Sequence, residues 1–502
     1  MSRRRRVLHS CAFAACLGFI AAPAVTETGV EQLREGRDIL REAVESVGGA
    51  QTLADVKNIS FRAEGDTHNP YQGLSPARID SPERDGAIAW FNVFDFAGAR
   101  FRQETTQDLH GGLLLNFGTI VAGSRIYNIS FSEQVVRTQP APPRNPAGAI
   151  VDLPLRWLPP FLLQRAMENL TSVRALPGVE VEGQPARRFA FNWDAATRIE
   201  LAVSAQDGRV LESRSPAPDV MRGDDEIVVR YDGRQEAAGW MLPGRVRILR
   251  RGLEVIRLRL HDVRKNAALD DALFAPPPGF ALAELAAEPP VVEIRPGIFE
   301  VRELGGGTYR SQILVRESDV IVFESLGPGL APRVLAAAKK LAGERPVSRV
   351  VVSHFHADHA GGIGVFARAG IPALVPAGQG DVIGAYAKSS FSGAGLVPLP
   401  VPAPEIEEVG IRTTLRARDR SIEVFNLADN PHAKGLLVLY DPKTRTLFNA
   451  DLFTLYSPFN ETFQALVDWV KRSGLKVDLV VGTHHEPITF EELAGLAIKP
   501  AL

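Results

Sequence analysis

The chain has 502 residues, 45% hydrophobic and 23% charged, with a formal net charge of −2. These are values of a globular protein, too long for one ordinary core, so two domains are the default. With charge this balanced and no basic stripe, nucleic acid is not an expected partner.

Residues 1–25 read as an export signal. Arg3 to Arg6 form the charged start, Cys11 to Ala22 a short apolar core, and Ala22-Pro23-Ala24 a small-residue cleavage site. The apolar run is too short for a membrane span, so the mature chain is expected to have none and to be periplasmic or secreted. Both cysteines, Cys11 and Cys16, lie in this segment; without it the chain has no disulfide and a net charge of −6.

Leu33, Ile39, Leu40, Val44 and Val47 recur at helical spacing, and Gly48-Gly49 stops that helix. From about Val56 to Leu269 the pattern turns to strands. Ile256, Leu258 and Leu260 alternate with Arg257 and Arg259, and the runs 206–208 and 231–233 have the composition of hairpin turns. One helix is expected across Leu155 to Met167. Residues 26–280 are therefore read as a β-rich accessory domain. The opening helix, the many hairpins and the closing run 266–271 before Phe274 and Pro276 resemble, in architecture, the periplasmic lipoprotein-carrier fold, a curved antiparallel sheet holding a helix. That resemblance implies either a face that binds an acyl chain or apolar substrate, or a scaffold that only positions the second domain.

Pro276-Pro277-Pro278-Gly279 marks a joint, and residues 281–290 read as linker. From Val291 to the end at residue 502, strands alternate with helices, the helices including Leu330 to Leu341 and Phe463 to Lys471. The Pro-rich stretch 398–404 is read as a lid or a stiff connection.

The densest chemistry is His354-Phe355-His356-Ala357-Asp358-His359. The apolar run 350–352 before it reads as a buried strand, and Gly361-Gly362 allows a tight turn after it. His354 and His356 project to one side of an extended backbone, while Asp358 and His359 point apart and can serve a second ion. Imidazole with carboxylate suits zinc, manganese or iron.

This motif resembles the metallo-β-lactamase superfamily. Three further segments follow in the family's order: Asn430-Pro431-His432-Ala433-Lys434-Gly435, the strand 446–449 leading to Asp451, and the strand 479–482 leading to His484-His485-Glu486-Pro487. The resemblance implies a four-layer αβ/βα sandwich over 291–502, hence an α+β protein with an N-terminal antiparallel sheet domain. It also implies two zinc ions per chain, with iron or manganese as substitutes. His354, His356 and His432 would hold one ion and Asp358, His359 and His484 the other, with Asp451 bridging. His485 could replace His484, although the frame before Pro487 favours His484. Ser353, Ala433 and the strand end Glu324-Ser325 depart from the family's usual residues.

The same resemblance implies hydroxide shared by two cations and attacking an ester, lactone, amide or phosphoester, with Asp358 as base. The substrate is expected to be a small molecule, apolar or anionic, and Lys434 either reaches its anionic group or is merely solvated. Two alternatives stand beside this hydrolase. One is a mononuclear iron enzyme resembling the persulfide dioxygenases of the same superfamily. The other is an envelope lipid- or ligand-binding protein whose metals are structural.

Overall fold

A computed structural model describes residues 29–141, 155–195, 197–217, 219, 222–388, 402–454 and 461–497. The expected export signal at 1–25 and positions 398–401 of the Pro-rich stretch lie outside the described residues.

The N-terminal half is one fourteen-stranded sheet made of two meanders. The first runs by consecutive antiparallel pairs from Asn58–Thr67 to Val135–Pro140. The chain then crosses to the far edge at Arg174–Val181 and meanders back until Leu253–Lys265 pairs antiparallel with Asn58–Thr67. Alternation along that closing strand is as the sequence suggests: Leu258 and Leu260 are buried, Arg257 and Arg259 exposed.

Helix Gly29–Ser46 buries Gly36, Ile39, Leu40, Ala43 and Val44, a single stripe at helical spacing. At Gly36 a Cβ would lie 2.7 Å from the Ala175 backbone nitrogen, so glycine lets the helix pack directly on strand Arg174–Val181. Helix Pro159–Glu168, begun by proline in its first turn, adds Phe161, Leu162, Leu163 and Ala166 to the same core. The run 206–208 joins two antiparallel partners, Arg198–Ser204 and Val210–Pro216, as a hairpin should. The run 231–233 does not: Glu226–Asp232 pairs with Arg245–Arg250, and the chain between them forms its own two-stranded ribbon, Gln235–Ala237 with Trp240–Leu242.

Within the stretch read as linker, Ala281–Glu284 is a strand lying parallel to Val135–Pro140. Its side chains are exposed, so it is held by backbone pairing at a sheet edge rather than by burial, which leaves no hydrophobic pattern to read.

The C-terminal half has two sheets. Seven strands run in chain order from Val291–Arg295 to Ile406–Val409, and six from Arg412–Leu415 to Ile488–Thr489. Ile298, Ile321, Phe323, Val351 and Leu374 of the first face Val424, Leu437, Leu439, Phe448 and Val481 of the second, in a core between the sheets. The first sheet's outer face is covered by helix Ala331–Ala342 and the segments around Phe366 and Ile383, the second's by helix Glu461–Ser473 and Leu493. This is a four-layer αβ/βα sandwich, and the whole chain is α+β. Among the described residues no helix is long and apolar enough to cross a membrane.

The two halves are joined by a long excursion. Thr67 and Gly86 are cross-strand partners, so residues 68–85 leave the first meander and return to it. Ile79 enters the hydrophobic cluster of the first sandwich sheet, and Tyr71 packs at its edge, 6.4 Å edge-on from Tyr386.

Candidate metal centre

Every expected ligand stands just beyond the carboxyl end of a sandwich strand. His354 to His359 follow Val347–Val351, His432 follows Ile422–Asn426, Asp451 follows Thr446–Asn449, and His484 follows Leu479–Gly482. Local devices fix these loops. Asn430 closes the His432 loop by accepting from the His432 and Ala433 backbone N–H groups and donating to the Leu427 and Ala433 carbonyls. Ala433 has its methyl fully buried in the core. Gly362 lies so close to the neighbouring strand end that a Cβ would come within 2.5 Å of both Ala331 Cβ and Ser325 O.

The structure brings all seven residues together in two groups that could each hold a cation: His354, His356, His432 with Asp451, and Asp358, His359, His484 with Asp451. In the first, His432 Nε2 is 3.2 Å from His354 Nε2, 3.1 Å from His356 Nδ1 and 3.1 Å from Asp451 Oδ2. In the second, Asp451 Oδ1 is 3.0 Å from His359 Nε2 and 3.2 Å from His484 Nε2, while Asp358 Oδ2 is 3.4 Å from His359 Nε2. The two oxygens of Asp451 thus face different groups. A tetrahedral ion with bonds of about 2.0–2.1 Å sets its donors roughly 3.3 Å apart, so these spacings fit a metal.

Outer partners orient the rings. The Gly73 carbonyl can only accept, so His356 Nε2 donates to it at 2.9 Å and the Nδ1 lone pair points into the group. Ser353 Oγ is 2.8 Å from His354 Nδ1. Glu324, fully buried, places Oε2 3.4 Å from His359 Nδ1. Its backbone has φ of 77°, an uncommon conformation for a side chain of this size, at the point where strand Val320–Phe323 ends.

Burial, aided by the neighbouring His356 and His359, holds the His354 imidazole well below its ordinary pKa. Burial, then His432, lowers His356 to about 3. Both rings are therefore neutral at physiological pH, as metal donors must be. For His359 burial opposes the charge, but Asp451, Asp358 and Glu324 outweigh it and raise the pKa well above the usual value. Burial likewise works against ionising Asp358 and Asp451, yet His359 and its neighbours hold both below the usual carboxylate range.

His485 is separate from these groups. Its Nδ1 bonds the Glu486 carbonyl at 2.7 Å and its ring packs against Phe453; burial keeps it neutral, with a pKa near 3. Lys434 is exposed, and it is its backbone N–H that is engaged, donating to Leu74 O at 2.7 Å.

Sequence reasoning missed the residues that reach the site from the N-terminal half. Gln72 Nε2 donates to Asp358 Oδ1 at 2.7 Å, Tyr71 O accepts from Ala357 N, and Gly73 O backs His356. The available signal was the length of the connection 68–85, since loops this long in a compact domain are commonly functional. Tyr309, from the sandwich, adds its hydroxyl 3.3 Å from Asp358 Oδ2. A cavity of about 750 Å³ opens over Asp358, His432, Asp451 and His484, with Gln72, Leu109, Leu113, Leu115 and Phe117 on its N-terminal side.

Residues 305–485 match the family model described as the metallo-beta-lactamase superfamily. A comparison with curated proteins finds no match. Among solved structures, a metallo-beta-lactamase from Pontibacter korlensis is 17% identical over 42% of this chain and 98% of its own, with a TM-score of 0.33. The stereoselective inverting sec-alkylsulfatase Pisa1 from Pseudomonas sp. is 17% identical over 41% of this chain and 40% of its own, with a TM-score of 0.31.

Proposed function

We propose that this chain, whose residues 305–485 carry the superfamily match, is an exported binuclear zinc hydrolase acting on a small-molecule ester, lactone, amide or phosphoester. The observation that carries the reading is Asp451, whose two oxygens face two separate histidine-rich groups. Structural zinc sites are usually closed by four ligands and share no carboxylate, so two cations bridged by Asp451 suit catalysis better than support. In this reading His354, His356 and His432 hold one cation, Asp358, His359 and His484 the other. Two bound cations would supply an acidified water and polarise the substrate's electrophilic oxygen.

The chain's own residues do the rest. Gln72 and Tyr309 present donors to the two oxygens of Asp358 and hold its carboxylate in one orientation. Asp358, kept ionised by its neighbours, is the base that orients the attacking water. Leu109, Leu113, Leu115 and Phe117 give the cavity an apolar side next to the reacting centre.

The test is hydrolysis of a panel of esters, lactones and phosphodiesters by the zinc-reconstituted protein and by its His356→Ala variant. Turnover of at least one class, lost in the variant while the fold is kept, is the expected result. Oxygen consumption with one iron per chain would move the assignment to the dioxygenase. A folded, metal-loaded protein inert to all of these would leave the ligand carrier.

A further inference from the structure

The N-terminal sheet lies beside the metal centre. Strands Arg100–Leu109 and Leu113–Ala122 form a hairpin whose turn, His110–Gly112, rests against helix Glu461–Ser473 of the sandwich. Leu113, Leu115 and Phe117 alternate along the second strand, and Leu109 and Gln107 stand opposite Leu113 and Leu115 on the first. Strand alternation turns such a set to one face, and all five line the cavity over Asp358, Asp451 and His484. Phe117, on the second strand, is 43% exposed. The opposite wall comes from Gly327, Pro328, Gly329 and Tyr309 of the sandwich.

We propose that this hairpin is the substrate's apolar binding wall, so that the enzyme takes an amphiphile: a hydrolysable polar head at the cations and an alkyl or aryl body along Leu113, Leu115 and Phe117. The proposal rests on the hydrolase reading for the head group, but not for the apolar body. The cavity, about 750 Å³, lies in the range that holds a drug-sized ligand. It is far more than a two-carbon acyl group needs. Its surface is mostly apolar: the hairpin contributes Leu109, Leu113, Leu115 and Phe117 beside Gln107 and Asn116, and Asp358 and His484 stand in the same lining. A polar solute the size of the cavity would leave its donors and acceptors unpaired against that wall. A chain or ring fits without that loss.

The experiment uses neutral probes that need no metal: butan-1-ol, hexan-1-ol and octan-1-ol, titrated calorimetrically into the full chain, metal-free and zinc-loaded. Each added methylene is expected to tighten binding roughly two- to fourfold. Phe117→Gln and Leu115→Gln should flatten that slope while leaving zinc content and melting behaviour close to wild type. Phe117→Leu should restore most of it. The same slope in wild type and both glutamine variants would overturn the proposal, as would octan-1-ol binding no tighter than butan-1-ol. Because the slope is read with and without zinc, a failure of the hydrolase reading shows separately, as a chain that takes up no metal.

Discussion

Glu324 and His359 form a buried carboxylate–imidazole pair, an arrangement that stability alone does not favour over apolar packing. Its value is to orient His359 and keep electron density on its ring. Glu324→Gln should therefore lower affinity for the Asp358–His359–His484 ion by roughly 10- to 100-fold with the sandwich intact. Competition with a chelating dye measures this, and an unchanged affinity would remove Glu324 from the site. The adjacent histidines divide two tasks. His484→Ala should take away one cation and leave melting little changed. His485→Ala should keep both cations and cost about 2–4 kcal/mol by emptying a packed position beside Phe453. Metal analysis with thermal melting separates the two. Sequence order and the following Pro487 were enough to favour His484, but nothing local distinguishes a ring held by a carbonyl from one facing a carboxylate.

Away from the metals, Glu300 is a buried acid whose pKa burial pushes up to about 6, against the pull of Arg310 and Arg302 and with Glu486 also facing the cluster. A raised acid pKa favours the folded state fully below the unfolded value near 4.5, and that contribution is lost as pH rises through 6. At pH 8 the ionised carboxylate should cost on the order of 1–2 kcal/mol. Melting of Glu300→Gln should accordingly gain on wild type between pH 4.5 and 7. A difference independent of pH would contradict this.

At the scale of elements, strand ends do the positioning. Four strand ends deliver the seven candidate ligands and a fifth delivers Glu324, because the parallel pairs Val320–Phe323 with Val347–Val351, and Thr446–Asn449 with Leu479–Gly482, point their carboxyl ends to the same edge. These strands were legible as short apolar runs ahead of polar clusters. The edge strand Ala281–Glu284 was not, since it buries no face, and the ribbon after Gly233 was not, since its strands are only three residues long and the first of them buries nothing. Tight contact also matters here. Gly362→Ala would force a methyl into Ala331 and the Ser325 carbonyl, and should destabilise by about 1–3 kcal/mol and loosen the His359 loop. Denaturant melts with metal analysis would show both effects, and a variant as stable as wild type would mean the loop can shift at no cost.

At the scale of the whole molecule, the excursion 68–85 ties the large sheet to the metal centre. Its backbone carbonyls at Tyr71, Gly73 and Leu74 accept from Ala357, His356 and Lys434. No periodicity or local motif announces such contacts, because they join positions nearly 300 residues apart, such as Gly73 and His356. If the link is built as described, metal loading should slow amide exchange in residues 69–80 as well as in the sandwich loops. Protection confined to the sandwich would make the two halves independent.

In the proposed enzyme, two histidine-rich groups joined by Asp451 each hold a cation. Metal content of the purified full chain by mass spectrometry tests it most directly, with Asp451→Asn alongside. The account predicts about two zinc ions per wild-type chain and a marked loss in the variant. A folded wild-type chain carrying no tightly bound metal after exposure to zinc would contradict it.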